Sequence, residues 1–124
     1  MGGKYKLLSQ ILPLFPKEID TFYDLFGGGF NVGINVDAKK HVYNDILKPV
    51  VELLWALKKE DRERVLMFID DYIDQYNLSK TNKEGYLALR ERYNETKRNP
   101  FMFYTLVAHS FNNQIRFNKK GEFN

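Results

Sequence analysis

A glycine triplet and an aspartate about 20 residues later are spaced in a way that suggests ligand chemistry. Gly27-Gly28-Gly29 follows one apolar run, and Asp45 ends a second. Glycines after a strand let the backbone turn tightly and approach a ligand. A carboxylate at the end of the next strand is suited to ribose, because it accepts two hydroxyl hydrogen bonds side by side. Together the two features favour a nucleoside-containing cofactor, although a bare glycine triplet is also typical of a flexible loop.

The glycine triplet departs from the dinucleotide-binding pattern, because no glycine occupies the sixth position. The sequence therefore argues against a nicotinamide enzyme. Gly3 and Lys4 are a weaker signal near the N-terminus. A lysine just before a helix can pair with a carboxylate-bearing ligand, but Gly2-Gly3-Lys4 is more typical of a disordered start.

Residues 111–120 form a second cluster, in which amides, an arginine, aromatic side chains and lysines alternate. Arginine recognises the guanine edge, amides recognise adenine, lysines bind phosphate, and aromatic rings stack on bases or wedge between them. This composition favours contact with a nucleic acid over an ordinary polar hairpin. The candidate contact residues are Phe111, Asn112, Gln114, Arg116, Asn118, Lys119 and Lys120.

The distribution of charge agrees with a polyanion partner for the C-terminal part. Residues 80–124 carry nine Lys or Arg against four Asp or Glu, a net of +5. Residues 1–79 carry ten against twelve, a net of −2. An asymmetry of this kind indicates nucleic-acid binding or simply a solvated basic face.

Composition excludes several classes of site. With no cysteine and two distant histidines, disulfides, thiolate metal sites and histidine metal sites are not expected. No apolar run is long enough to span a bilayer, and no signal core precedes Pro13. We therefore expect a cytoplasmic protein without a metal or a membrane partner.

An α/β arrangement would position the glycines and Asp45. Residues 19–26 are rich in aromatic and β-forming side chains and predict a buried strand, and residues 41–44 predict a second strand. Apolar spacing predicts helices over residues 4–14 and 46–57. Strand, glycine turn, helix, strand and helix is the opening of a doubly wound sheet.

The remainder of the chain is predicted to be helical. One helix is expected over 60–76, and a second over 79–94, capped by a serine or threonine. Asn99-Pro100 begins a third helix that runs to about His109, since proline suits a first helical turn. Residues 111–124, around Lys119-Lys120-Gly121, predict a β-hairpin.

Ordered motifs resemble one family over essentially the whole length, the Dam-like DNA adenine methyltransferases and particularly their phage-type members. The matching blocks include the N-terminal Gly2-Gly3-Lys4-Tyr5, the glycine block, the acidic strand end and the recognition insertion. They are residues 2–5, 24–29, 44–46, 78–81, 89–94, 111–118 and 120–124.

The resemblance implies methyl transfer from S-adenosylmethionine to the exocyclic amine of adenine in a short double-stranded DNA site, typically GATC. Gly3 and Lys4 would lie at the methionine carboxylate, and the turn from Phe26 to Gly29, with Asp24, at the methionine end. Asp45 and Ile46 would hold the nucleoside. In the insertion, Phe111 would wedge into the duplex, Asn112 and Gln114 would lie near bases, and Arg116 would recognise a guanine. Asn118, Lys119 and Lys120 complete the predicted DNA-binding set.

The resemblance also implies an enzyme fold that continues beyond these residues. The expected architecture is the start of a Rossmann-like methyltransferase sheet (residues 1–58), followed by a mostly helical target-recognition domain with a hairpin (residues 59–124). The family's aspartate-proline-proline-tyrosine motif is missing, because none of the four prolines is adjacent to another. We therefore expect a chain truncated before its catalytic motif, in a bacterial or phage-infected cell. It would be an inactive part of an enzyme or a non-catalytic DNA- or cofactor-binding remnant, with an unpaired sheet edge able to self-associate.

Overall fold

The computed structural model describes residues 4–124, which divide into two compact units. One unit ends at Val51 and the other runs from Glu52 to Asn124. Whether the predicted segments 1–58 and 59–124 act as functional domains stays a prediction. Across the described residues, no helix has both the length and the apolar character needed to cross a membrane.

The first unit begins with short helical turns rather than one helix. A 3-10 turn over Lys4–Leu7 leads into a single α-helical turn, α1 (Leu8–Ile11), and a second 3-10 turn, Leu12–Leu14, follows. The continuous helix predicted over residues 4–14 is therefore wrong. Pro13 lies inside the last turn and has no backbone N–H to continue an α-helical ladder.

A two-stranded parallel sheet forms the centre of this unit. Strand β1 (Thr21–Asp24) pairs with β2 (Lys40–Tyr43), with Thr21 opposite Lys40 and Asp24 opposite Tyr43. Strand β1 is shorter than the predicted 19–26 and is half-buried rather than buried, with Tyr23 62% exposed, whereas β2 keeps the predicted four residues but lies one position earlier. The parallel pairing agrees with the α/β expectation and brings the carboxyl ends of both strands to one edge. The helix expected between the two strands is wrong, since only a 3-10 turn, Gly33–Asn35, lies there.

The second unit is built from helices. Helix α2 (Lys48–Lys59) begins in the first unit and ends in the second, and α3 (Arg62–Gln75), α4 (Lys83–Glu95) and α5 (Pro100–His109) come after it. The predicted start at Asn99-Pro100 is confirmed, because the Asn99 side chain accepts from the N–H groups of Phe101 and Met102.

The N-terminal end of α4 differs from the prediction. Its cap is Asn82, which accepts from the Gly85 N–H, whereas the hydroxyl of Ser79 accepts from the Asn82 N–H one turn earlier. Asn82, whose backbone N–H is bonded to the Ser79 hydroxyl, therefore caps the helix in place of the single Ser or Thr that was expected. The shift moves the helix start to Lys83.

Helix α5 forms the core of the second unit and packs against α3 and α4. Its buried residues include Phe103, Thr105 and Leu106, and the Thr105 hydroxyl donates to the Phe101 carbonyl at 2.9 Å. Phe101 stacks on Phe68 of α3, with ring centroids 5.2 Å apart. Helix α5 is apolar on all sides, and such a helix must be buried on several faces, which explains why it packs against both α3 and α4 in the core.

The predicted hairpin over residues 111–124 is not confirmed. Phe111–Asn113 forms a 3-10 turn, and one antiparallel bridge, between Phe117 and Phe123, closes the segment that follows. The Asn118 side chain accepts from the N–H groups of Lys120 and Glu122. A side chain that satisfies backbone donors in this way competes with a strand ladder.

Candidate functional site

The carboxyl end of β1 leads into what we call the glycine turn, residues 25–30, and that of β2 leads into Asn44 and Asp45. The Asn44 N–H donates to the Asp24 carbonyl at 2.9 Å, and the Gly27 N–H donates to the Asn44 carbonyl at 3.1 Å. The Asn44 side-chain amide also donates to the Leu25 carbonyl at 2.9 Å. These bonds hold the glycine turn against the end of β2, where parallel sheets place their ligands.

Asp45 is fixed in orientation by two backbone donors. Its Oδ2 accepts from the Gly28 N–H at 2.9 Å, and its Oδ1 accepts from the Leu47 N–H at 2.8 Å. Each carboxylate oxygen has a further lone pair, so two ribose hydroxyls can still donate to the pair of oxygens. The two acceptor oxygens of Asp45 therefore fit the hydroxyls of a nucleoside, and a hydrogen bond joins the predicted glycine motif to the predicted acid.

The carbonyl of Gly28 is held as well. The Tyr43 hydroxyl donates to it at 2.7 Å, and Gly28 adopts a left-handed conformation with φ of 51°. Burial, followed by the nearby carboxylates of Asp45 and Asp24, raises the pKa of Tyr43 to about 12. Tyr43 consequently remains a neutral hydrogen-bond donor at physiological pH.

Two large apolar side chains beside this polar framework point to solvent. Phe26 is 92% exposed and Ile46, next to Asp45, is 99% exposed. Exposed apolar groups that flank oriented polar groups are typical of ligand sites. Both residues were predicted as cofactor contacts, and their exposure leaves them available to a nucleoside.

Asp24 has a role inside the first unit. Its carboxylate accepts from the Gly33 N–H at 3.3 Å and so closes the loop that follows the glycine turn. A Cβ at Gly33 would overlap the ring of Phe30, which explains the glycine at that position. The cofactor contact predicted for Asp24 stays a prediction, as does that of Gly29, which is exposed.

The N-terminal motif is not brought to the glycine turn by any bond in the described part of the chain. Lys4 begins the first 3-10 turn and is exposed, and Gly3 lies outside the described residues. Their predicted contact with a carboxylate therefore remains untested.

The predicted DNA-contact residues lie on the surface of the second unit. Phe111 is 81% exposed directly after α5, and Asn112 follows in a left-handed conformation with φ of 52°. Arg116, Lys119 and Lys120 are exposed. The Arg116 carbonyl accepts from the Asn124 N–H at 3.0 Å, which fixes its backbone.

We call residues 116–124 the basic turn, and Asn118 organises it. Besides its two backbone contacts, the Asn118 amide nitrogen donates to the Glu122 carboxylate at 2.7 Å. Both ends of this side chain are therefore engaged within the turn. Gln114 is half-buried, and the Ser110 hydroxyl lies 3.1 Å from its carbonyl.

Sequence reasoning missed the residues that anchor the basic turn. The Asn94 side chain of α4 accepts from the Phe123 N–H at 2.8 Å and donates to the Phe123 carbonyl at 3.0 Å. The Arg98 guanidinium lies over the rings of Tyr93 and Phe117 and donates to the Gly121 carbonyl. Asn94 and Phe123 are 29 residues apart, so no local signal in the sequence pairs them.

Histidine, aspartate and glutamate side chains form no group of three or more able to hold a metal ion in the portion that the structure describes.

Comparison with known proteins gives one consistent family. Residues 1–124 match the model of the D12 class N6 adenine-specific DNA methyltransferases. The chain is 55% identical to the Type II methyltransferase M.FokI of Planomicrobium okeanokoites and 49% identical to the modification methylase StsI of Streptococcus sanguinis, over its full length in both cases. It is 29% identical, over 99% of its residues, to the DNA adenine methylase of Escherichia coli (strain K12).

The chain spans only part of these relatives. It covers 19% of the length of the first two and 44% of the third. The match nevertheless extends over every residue of the chain, from the glycine turn to the basic turn. The chain therefore belongs to the D12 class of N6 adenine-specific DNA methyltransferases.

Proposed function

We propose that this chain binds S-adenosylmethionine and double-stranded DNA as the cofactor-binding and target-recognition part of an adenine methyltransferase. The observation that carries the proposal is the bond between the Gly28 N–H and the Asp45 carboxylate, 2.9 Å long. It joins a glycine turn to an acid at the carboxyl edge of a parallel sheet, an arrangement typical of nucleoside binding. We assign the start of a Rossmann-like fold to this unit on the same basis.

Different residues of the first unit would contact different parts of the cofactor. Asp45 would accept the two ribose hydroxyls, and the side chain of Ile46 would lie against the adenine ring. The glycine turn would approach the methionine end. When bound, S-adenosylmethionine supplies the methyl group that the exocyclic amine of adenine accepts.

The second unit would supply the contacts with DNA. Arg116 would recognise a guanine in a GATC-like site, Asn112 and Gln114 would lie near bases, and Phe111 would wedge into the stack. Lys119 and Lys120 would bind phosphates. The net charge of +5 over residues 80–124 favours this role.

We further propose that these 124 residues bind without catalysing. No acid-proline-proline-aromatic motif occurs among them, and that motif would hold the target amine. The pure chain, incubated with methyl-labelled cofactor and a GATC duplex, should transfer no label. Label in the DNA would refute this part of the proposal and show that the chain is itself an enzyme.

Calorimetry tests the cofactor site. Wild-type protein should bind S-adenosylmethionine, and Asp45→Ala should lower the affinity at least about tenfold, because hydrogen bonds to a charged group are each worth about 1.5–3 kcal/mol. Asp37→Ala, an exposed aspartate of the same unit, is the matched control. Equal affinities for wild type and Asp45→Ala would remove the ribose assignment.

A DNA-binding experiment tests the recognition role. Arg116→Ala should weaken binding to a GATC duplex by about 1–3 kcal/mol and have much less effect on a scrambled duplex. Lys119→Ala should weaken both duplexes alike, since a phosphate contact carries no sequence information. An equal loss on both duplexes for Arg116→Ala would exclude base recognition by that side chain.

A further inference from the structure

Tyr43 contacts the glycine turn, and no part of the proposed function uses it. Its hydroxyl donates to the Gly28 carbonyl at 2.7 Å. Its ring meets the Phe30 ring edge to face, with centroids 5.4 Å apart. A Cβ on Gly27 would overlap the Tyr43 ring, so the ring lies directly against the turn.

Gly28 is therefore held at both of its backbone polar groups. Asp45 holds the N–H and Tyr43 holds the carbonyl. The left-handed conformation of Gly28, with φ of 51°, is maintained between these two contacts. Asp45 fixes the peptide that precedes Gly28, whereas Tyr43 fixes the peptide that follows it.

The peptide after Gly28 includes the N–H of Gly29. In a trans peptide the carbonyl and the N–H point in opposite directions within one plane. With the Gly28 carbonyl directed at Tyr43, the Gly29 N–H points away from β2. Gly29 is exposed, and within residues 4–124 no hydrogen-bond acceptor pairs with this N–H.

We propose that Tyr43 is a positioning residue, which orients the peptide between Gly28 and Gly29 so that the Gly29 N–H donates to the carboxylate of S-adenosylmethionine. An oriented backbone N–H beside a glycine turn is a recurrent anion donor. A carboxylate accepts such a bond strongly because it is charged. The inference rests on the proposed cofactor site and adds a residue that acts at its methionine end.

Two ligands separate this role from general support of the fold. S-adenosylmethionine has a sulfonium and the amino-acid carboxylate, whereas 5′-methylthioadenosine keeps the adenine and the ribose but has a neutral thioether and no amino-acid group. Tyr43→Phe removes only the hydroxyl. It should lower the affinity for S-adenosylmethionine about two- to tenfold, the range expected for one hydrogen bond. The affinity for 5′-methylthioadenosine should change less than about twofold.

The experiment is calorimetry on the full chain with both ligands, for wild type, Tyr43→Phe and Tyr23→Phe. Tyr23 is 62% exposed on β1, so its phenylalanine variant is the matched control and should bind both ligands as wild type does. An amide NMR spectrum supplies a second measurement. S-adenosylmethionine should shift the Gly29 amide in wild type, and by clearly less in Tyr43→Phe.

The contrary outcomes are distinct. If Tyr43→Phe lowered the affinity for both ligands equally, Tyr43 would support the whole unit. If neither affinity changed, its hydroxyl would have no role. Either result overturns the inference and leaves the cofactor site intact. Failure of wild type to bind either ligand would instead refute the proposed cofactor site, and the inference with it.

Discussion

The glycine turn and the basic turn are held in place by different physical means. In the glycine turn, Asp45 and Tyr43 hold Gly28 through two hydrogen bonds, while Phe26 beside it is 92% exposed. In the basic turn, Asn94 holds Phe123 through two hydrogen bonds as well, but the Phe123 ring is only 2% exposed.

The difference lies in the apolar core beneath each turn. Phe123 packs edge to face against Tyr93, Phe103 and Phe117, with centroids 5.5–6.1 Å apart. At the glycine turn, Phe30 packs against Tyr43, but Phe26 and the neighbouring Ile46 lie in solvent. We infer that the apolar core of the protein itself stabilises the basic turn. At the glycine turn, a bound ligand would complete the burial of the exposed apolar side chains.

The largest expected effect comes from removing the ring under the basic turn. Phe123→Ala should lower the free energy of unfolding by about 3–5 kcal/mol, because a buried aromatic side chain is lost and a cavity remains. Phe26→Ala should cost less than about 0.5 kcal/mol, since that side chain is exposed. Urea unfolding measures both, and similar losses would contradict the proposed difference between the turns.

Removal of the Asn94 amide should be the next largest effect. Asn94→Ala leaves the N–H and the carbonyl of Phe123 without their partner, which costs about 1–3 kcal/mol. Asn124→Ala, at an exposed position, is the matched control and should leave stability unchanged. If both variants unfold at the same urea concentration, Asn94 does not anchor the basic turn.

Alkaline pH should destabilise the aromatic cluster. Burial raises the pKa of Tyr93 from 10.0 to about 12, with Arg98 lowering it and Glu52 raising it to smaller extents. Between pH 10 and 12 the unfolded chain binds fewer protons, so the contribution is complete below about pH 10 and is lost as the pH rises.

The expected loss at Tyr93 is about 1–2 kcal/mol by pH 12. Tyr93→Phe should flatten the fall in unfolding free energy over this range, while Tyr43, whose pKa is also raised to about 12, keeps part of the slope. An unchanged slope in Tyr93→Phe would show that Tyr93 does not titrate as expected.

The smallest effect on stability is expected at the glycine turn. Gly28→Ala meets no atom within 4 Å of its new Cβ, but its φ of 51° is unfavourable for alanine and costs about 1 kcal/mol. Gly27→Ala would instead displace the Tyr43 ring and should weaken S-adenosylmethionine more than Gly28→Ala does. Thermal unfolding and calorimetry on the two variants compare these outcomes, and equal affinities would argue against ring contact as a determinant of binding.

Local patterns predicted the elements of the chain better than their ends. The parallel strands and the helix start at Asn99 follow from residue type and spacing alone. The prediction of the first helix was wrong because Pro13 has no N–H to continue an α-helical ladder, and 3-10 turns form there instead. The predicted hairpin is present only as one antiparallel bridge, between Phe117 and Phe123, and the Asn118 side chain accepts from the Lys120 and Glu122 N–H groups in the turn between them.

The candidate sites were predictable only as far as motifs extend. Spacing along the sequence predicted the roles of Gly28 and Asp45, and a hydrogen bond of 2.9 Å joins them in the structure. The roles of Asn94 and Arg98 depend on contacts 29 and 23 residues away along the chain, which no periodicity encodes. Tyr43 was recognised as a strand residue, but its hydrogen bond to the Gly28 carbonyl depends on the turn's conformation.

An amide NMR titration with S-adenosylmethionine tests the central claim most directly. The cofactor should shift the amides of residues 26–29 and of positions 45 and 46, and Asp45→Ala should clearly reduce those shifts at the same ligand concentration. Absence of shifts in the glycine turn of wild type, or shifts that persist unchanged in Asp45→Ala, would contradict the assignment of this turn as the cofactor site.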